Sequence, residues 1–190
     1  MKILTYTLVF LFGIGAGAAT AAAKLTAADV SARVEREGAQ TVLQTIYADN
    51  DQWAHLLASI ATGRREWLLI AVALHPASDA GSSEQLTLAV GEALEHRPEN
   101  VLTVAISTYP LDVVCDVPET DDPRFDSLSR ALATLNRRQA MLRTVTAPAV
   151  RMPRDKCIEQ LDAAKAEIAK YYGDQTKYEA SQKGNLATPK

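Results

Sequence analysis

Apolar residues recur at three- and four-residue intervals through most of this chain, and no stretch beyond residue 24 alternates apolar with polar over six or more positions. That period lays a stripe along an α-helix and does not suit a half-buried strand. The expected fold class is therefore all-α, an irregular helical bundle or a short superhelix of α-hairpins carrying one disulfide.

Punctuation divides the pattern into elements. Thr26 can cap a first helix with Val30 and Val34 on one face, Gly38 interrupts it, and Val42, Leu43 and Ile46 resume the stripe. Asn50 is the expected N-cap of a helix carrying Trp53, Leu56, Leu57 and Ile60, which Gly63 stops in a left-handed conformation. From Glu66 to Leu74 nearly every residue is apolar, as in a helix buried on most sides; a buried strand is the rival, but it would have no strand to pair with. Ser82 with Gln85 resembles a capping box before Leu86 to Leu94, and Pro98 suits the first turn of a helix over Glu99 to Ser107. Tyr109 to Pro123 reads as a loop with one helical turn at Leu111 to Cys115. Asp122 and Pro123 then open a long helix with Phe125, Leu128, Leu132, Leu135 and Leu142. A last helix runs from Asp155 to about Tyr172, with Ile158, Leu161, Ala164 (or Lys165) and Ile168 on one side. Residues 51–62 with 65–74, and 83–96 with 99–108, form two tight pairs in the manner of stacked hairpins, without repeat-grade self-similarity.

Lys2, the apolar run Ile3 to Ile14 and the small-residue site Ala21-Ala22-Ala23 make residues 1–23 an expected cleaved signal peptide, with Ala19-Thr20-Ala21 as a second cut site. A retained anchor is the competing reading, less suited to the alanine-rich end of the segment. Residues 24–173 are then one helical domain and residues 174–190 a disordered polar tail. The expected compartment is the periplasm, with no stable membrane insertion after cleavage. Cys115 and Cys157 are the only cysteines, and an even count in an exported chain reads as a disulfide. Closing a loop of about forty residues is worth roughly 4 kcal/mol in the chain-entropy picture.

The net charge of −3 is spread among interspersed acids and bases. Nucleic acid is not an expected partner, because it demands a concentrated positive field. No P-loop, nucleophile elbow, zinc-protease motif or dinucleotide fingerprint occurs, and Gly13, Gly15 and Gly17 fall in the leader, so no cofactor or metal is expected. Glu92, Glu95 and His96 are the nearest approach to a catalytic cluster, since residues three and four apart share a helix face; a solvated acidic face is the plainer reading. For His55 with Glu66 across the Gly63 turn a surface or capping role is again the plainer reading, and His75 before Pro76 suits a helix C-terminus. Trp53 and Trp67 sit on apolar stripes and read as core, and Ser78 to Ser83 reads as a capped helix start before it reads as an anion site. Asp116, Glu119, Asp121 and Asp122 form an acidic loop beside a cysteine that lacks the ligand pattern of a calcium loop.

These features lead to an expectation of a non-catalytic binding protein of inhibitor or immunity type. The acidic loop Asp116, Glu119, Asp121 and Asp122 would be its interaction surface and another exported protein its partner. The alternative is an envelope hydrolase using Glu92, Glu95 and His96.

Overall fold

In the computed structural model, residues 25–116 and 123–186 are described, with 176–186 as backbone alone. The leader expected over residues 1–23 and the loop acids Glu119, Asp121 and Asp122 lie outside the described residues. The fold is all-α and has no strand among the described residues. Nor does any of the described helices have the length and apolarity to cross a membrane.

Helix α1 (Ala27–Glu37) is capped by Thr26, whose hydroxyl accepts from the Asp29 amide. Gly38, at φ 82° and ψ 150°, breaks it from α2 (Ala39–Tyr47) in a region of backbone space that belongs to glycine. Helix α3 (Asn50–Ala61) is capped by Asp49 and not by Asn50. The Asp49 carboxylate accepts from the amides of Asp51 and Gln52 at 3.1 Å each and takes the Gln52 side-chain amide at 2.8 Å. Donation from Gln52 and Asp51 holds this carboxyl below the ordinary carboxylate range. The stabilisation from this cap is present above the unfolded pKa and lost as pH falls through the folded one.

Gly63, at φ 68°, turns the chain into α4 (Arg65–Leu74), the apolar segment of the sequence. Helix α5 spans Ala80–Ala93, starting three residues before the expected Ser83. Asp79 is its N-cap and Ser82 its third residue, and each side chain receives the other's backbone amide. The capping box therefore lies one turn upstream of the Ser82–Gln85 pair. Helix α6 (Pro98–Asn100) continues into a π-helical turn over Val101–Ala105, and a single turn, α7 (Leu111–Val114), leads to Cys115.

Ser127, not Asp122, caps α8 (Leu128–Arg143), because Pro123–Phe125 forms a separate 3₁₀ turn. Helix α9 runs from Arg151 to Leu186, beyond the expected end near Tyr172 and into the stretch read as a disordered tail. Gly173 has no positive φ and so takes helical geometry, at a cost of about 1 kcal/mol relative to alanine. Lys177, Glu179, Ala180, Gln182 and Lys183 after it are good helix formers.

The helices stack as pairs. Helix α3 lies against α5, and α4 against Val101–Ala105, so the two hairpins expected from the sequence pack layer on layer; α1 and α2 cover one side. Helices α8 and α9 form the last pair, tied to the stack through α6 and α7. One contiguous cluster of buried apolar side chains runs from Val30 to Ile168. The two inner hairpin turns interlock. Arg97 donates to the Thr62 carbonyl at 2.7 Å and Asn100 to that of Gly63 at 2.9 Å, meeting acceptors that the end of α3 leaves open. Tyr109 is 1% exposed and donates its hydroxyl to Ala71 of α4 at 2.9 Å; burial pushes its phenol far above the ordinary range.

Gly63 carries both a conformational and a steric constraint, since a Cβ there would lie 2.9 Å from the Arg97 Cβ and 3.1 Å from the Ala93 oxygen. At Gly38 the same atom would meet nothing. Gly63→Ala is expected to destabilise by more than about 2 kcal/mol. Gly38→Ala should cost about 1–2 kcal/mol, from backbone strain alone. Denaturant unfolding of the two variants checks the order, and equal losses would contradict the interlocked turns.

Candidate functional site

The most constructed region of the molecule surrounds the two cysteines. Cys115 at the end of α7 and Cys157 in α9 form the expected disulfide, with their Cα atoms 5.3 Å apart. Beside it lies a buried cation that the apolar stripes do not announce. Arg138 of α8 is 2% exposed. Its Nε reaches Glu95 Oε1 at 3.5 Å, its Nη1 reaches the Asp116 carbonyl at 3.5 Å, and its guanidinium stands over the Phe125 ring at 5.6 Å. Glu95 receives a second donor, Arg137 Nε, at 2.9 Å. Burial pulls the Arg138 pKa below its ordinary value and the Glu95 carboxylate opposes that shift.

Gly91 makes room for this arrangement. A Cβ on it would stand 3.3 Å from the Val114 carbonyl and 3.7 Å from Arg138 Nη1, so the bare helix surface lets α7 settle on α5.

Asp116 is the last described residue before the acidic segment and Pro123 opens the 3₁₀ turn after it, and the chain is held on both sides. On one side stand the disulfide and the Arg138 bond to Asp116. On the other, Tyr172 of α9 donates to the Phe125 carbonyl at 2.7 Å, and Arg124 pairs with Glu92 at 2.7 Å. Of the expected interaction surface, Asp116 is therefore placed at this clamp. Glu119, Asp121 and Asp122 lie outside the described residues.

The three residues of the alternative catalytic reading, Glu92, Glu95 and His96, are divided between two sides of α5. Glu95 turns toward α8, where two guanidinium groups take its carboxylate. Glu92 and His96 turn the other way, into an open groove of about 530 Å³ between α3 and α5, lined by Leu57, Ala61, Leu88 and Ala89 and by the side chains of Arg97 and Arg124. No hydrogen bond joins Glu92 to His96 among the described residues.

The remaining sites resolve as structure. His55 takes the Leu25 carbonyl at 3.1 Å and stands edge-on to Trp67, while Glu66 pairs with Arg64 at 2.6 Å, so His55 and Glu66 serve different contacts. His75 packs its ring 4.7 Å from that of Tyr109, and its Nδ1 is buried without a hydrogen-bond partner among the described residues. Trp53 and Trp67 are both 7% exposed, and the Trp53 indole donates to Gln85 at 2.6 Å, so neither is presented for stacking on a ligand. The start of α5 is answered by its own Asp79, whose carboxyl the Ser82 hydroxyl and amide hold below the ordinary range; an anion there would meet a carboxylate. No group of three metal-binding side chains exists among the described residues.

Comparison of the chain with known protein families, with curated proteins and with solved structures finds no match.

A buried ion pair is costly to break from one side and cheap to replace as a whole. Arg138→Leu is expected to destabilise by about 1–3 kcal/mol, because Glu95 keeps Arg137 but loses its buried donor, and the Asp116 carbonyl loses the same guanidinium. Arg138→Met with Glu95→Leu should recover most of that loss. Arg124→Ala, at a more open pair, should cost less than about 1 kcal/mol. Denaturant titrations with the disulfide intact measure all three; additive losses in the double variant would contradict the coupling.

Proposed function

We propose that this chain is an exported, non-catalytic binding protein that docks another exported protein through the segment clamped between Asp116 and Phe125, in the manner of an inhibitor or immunity protein. The observation that carries the proposal is the double clamp. A disulfide and a buried guanidinium hold one end, and the Tyr172 bond and the Arg124–Glu92 pair hold the other. A short segment fixed at both ends on a rigid body reduces the ordering cost of binding, which favours recognition. The acids of that segment, Glu119, Asp121 and Asp122, call for a partner with a basic face. Export to the periplasm is part of the same reading: the leader-like residues 1–23 favour it, as does a disulfide that persists only where the surroundings are oxidising.

A second reading, an envelope hydrolase, draws on one observation, that Glu92 and His96 line the same groove beside Arg97 and Arg124. Against it, Glu95 is consumed by Arg137 and Arg138, and Glu92 is already paired.

Capture from periplasmic extract with the tagged chain, under non-reducing conditions, separates the two. The expected result is one stoichiometric protein partner. It should be lost when Glu119, Asp121 and Asp122 are changed together to lysine, with the unfolding midpoint unchanged. A partner retained by that variant would overturn the assignment of the surface. Turnover of envelope polymers that disappears in Glu92→Gln or His96→Asn would favour the hydrolase.

A further inference from the structure

Helix α4 has an apolar face that nothing in the described chain covers. From Trp67 to Leu74 it carries no polar side chain, a composition suited to a helix enclosed on all sides. Its inner residues are buried, yet Leu69 keeps 49% of its surface. Leu69 and Ile70, with Val34 of α1, floor an open groove of about 630 Å³ between α1 and α4. The shoulders are small residues, Ser31 and Ala73 among them, which allow a third helix to approach closely.

The charges that line this groove are of one sign. His55 touches both the Leu25 carbonyl and the Trp67 ring, so α1 and α4 start from the same end. Glu66, in the first turn of α4, marks that end, and Glu35, two turns beyond Ala27 and about 12 Å along the axis, marks the other. Both line the groove, and no basic side chain does among the described residues. Glu66 is engaged by Arg64, but the side chains of Arg64 and Glu66 are 60% and 44% exposed, a pairing that an incoming cation can share.

We propose that this groove docks an amphipathic helix of a partner protein. The helix would place a leucine or isoleucine pair, three or four residues apart, on Leu69, and lysine or arginine about two turns apart on Glu66 and Glu35. Apolar anchors at helical spacing in an apolar groove are a recurrent mode of peptide recognition. A second copy of this chain fits less well, because a two-fold pairing of this face would set carboxylates against carboxylates. The groove shares no residue with the Asp116 to Phe125 clamp, so the two surfaces are tested separately.

The probe is a synthetic leucine-rich helix with two lysines seven residues apart, titrated into the full exported chain and followed by amide chemical-shift mapping. A glutamate-for-lysine analogue serves as control. The lysine helix is expected to move amides of α1 and α4, to lose at least tenfold in affinity with Glu35→Lys or Leu69→Ser, and to bind undiminished when Glu119, Asp121 and Asp122 are lysine. Both substitutions are at open positions, and an unchanged unfolding midpoint verifies that the fold is intact. Absence of binding, equal binding of the two helices, shifts centred elsewhere, or self-association of the chain through the same amides would each overturn the proposal.

Discussion

A guanidinium group removed from water holds the far half of this molecule in register. Arg138 carries its charge into the space between α5, α7 and α8, where a lone cation would be costly. That placement is tolerable only while Glu95 faces it from α5 and the Asp116 carbonyl and the Phe125 ring complete its surroundings. Each partner comes from a different part of the chain, so the ion pair acts on tertiary arrangement and not on any single helix. The disulfide next to it works by other physics. Joining Cys115 to Cys157 restricts the unfolded chain, whereas Arg138 penalises every compact arrangement in which Glu95 and Asp116 are misplaced.

How far the sequence discloses this depends on whether the deciding contact is local. Helix-breaking at Gly38 and Gly63 is legible because the backbone itself demands positive φ there, and both residues are found so. Caps are legible only to within a few residues. Asp49 and Asn50 are both capable N-caps, and what selects Asp49 is its extended backbone, φ −110° and ψ 105°, which aims its carboxylate at two amides. At α5 the Ser82 hydroxyl does serve a capping box, but as the third helical residue answering Asp79. The long α9 shows a bias in reading glycine as a stop, since Gly173 takes helical geometry.

The Arg138 network had a signal in the sequence. In α8 the apolar stripe passes through Leu128, Leu135 and Leu142, and the inward position between the last two is filled by Arg138 with Gln139 beside it, both 2% exposed. A charged residue at an apolar phase of a helix announces a buried partner. It does not name that partner, which lies on another helix. The same limitation explains the scattering of Glu92, Glu95 and His96. Spacing of three and four puts them within reach of one another on an isolated helix, but the two guanidinium groups on α8 draw Glu95 to one side while Arg124 takes Glu92 on the other.

Stacked α-hairpins also determine where such a protein has surface to offer. Each pair buries its apolar stripes against its neighbours, so an outer helix needs a polar outer face if nothing is to dock on it. Away from the groove, helix α1 meets that need with Asp29, Arg36 and Glu37, all exposed. Helix α4 does not, because its sequence is apolar at every phase from Trp67 to Leu74 and the described chain covers only the inner ones. A lysine or glutamate at position 69 would have closed that face at little cost to stability, since the side chain is half in water. The leucine found there adds little to the core and leaves apolar area exposed, which favours the uncovered phase of α4 as a contact surface over a remnant of packing.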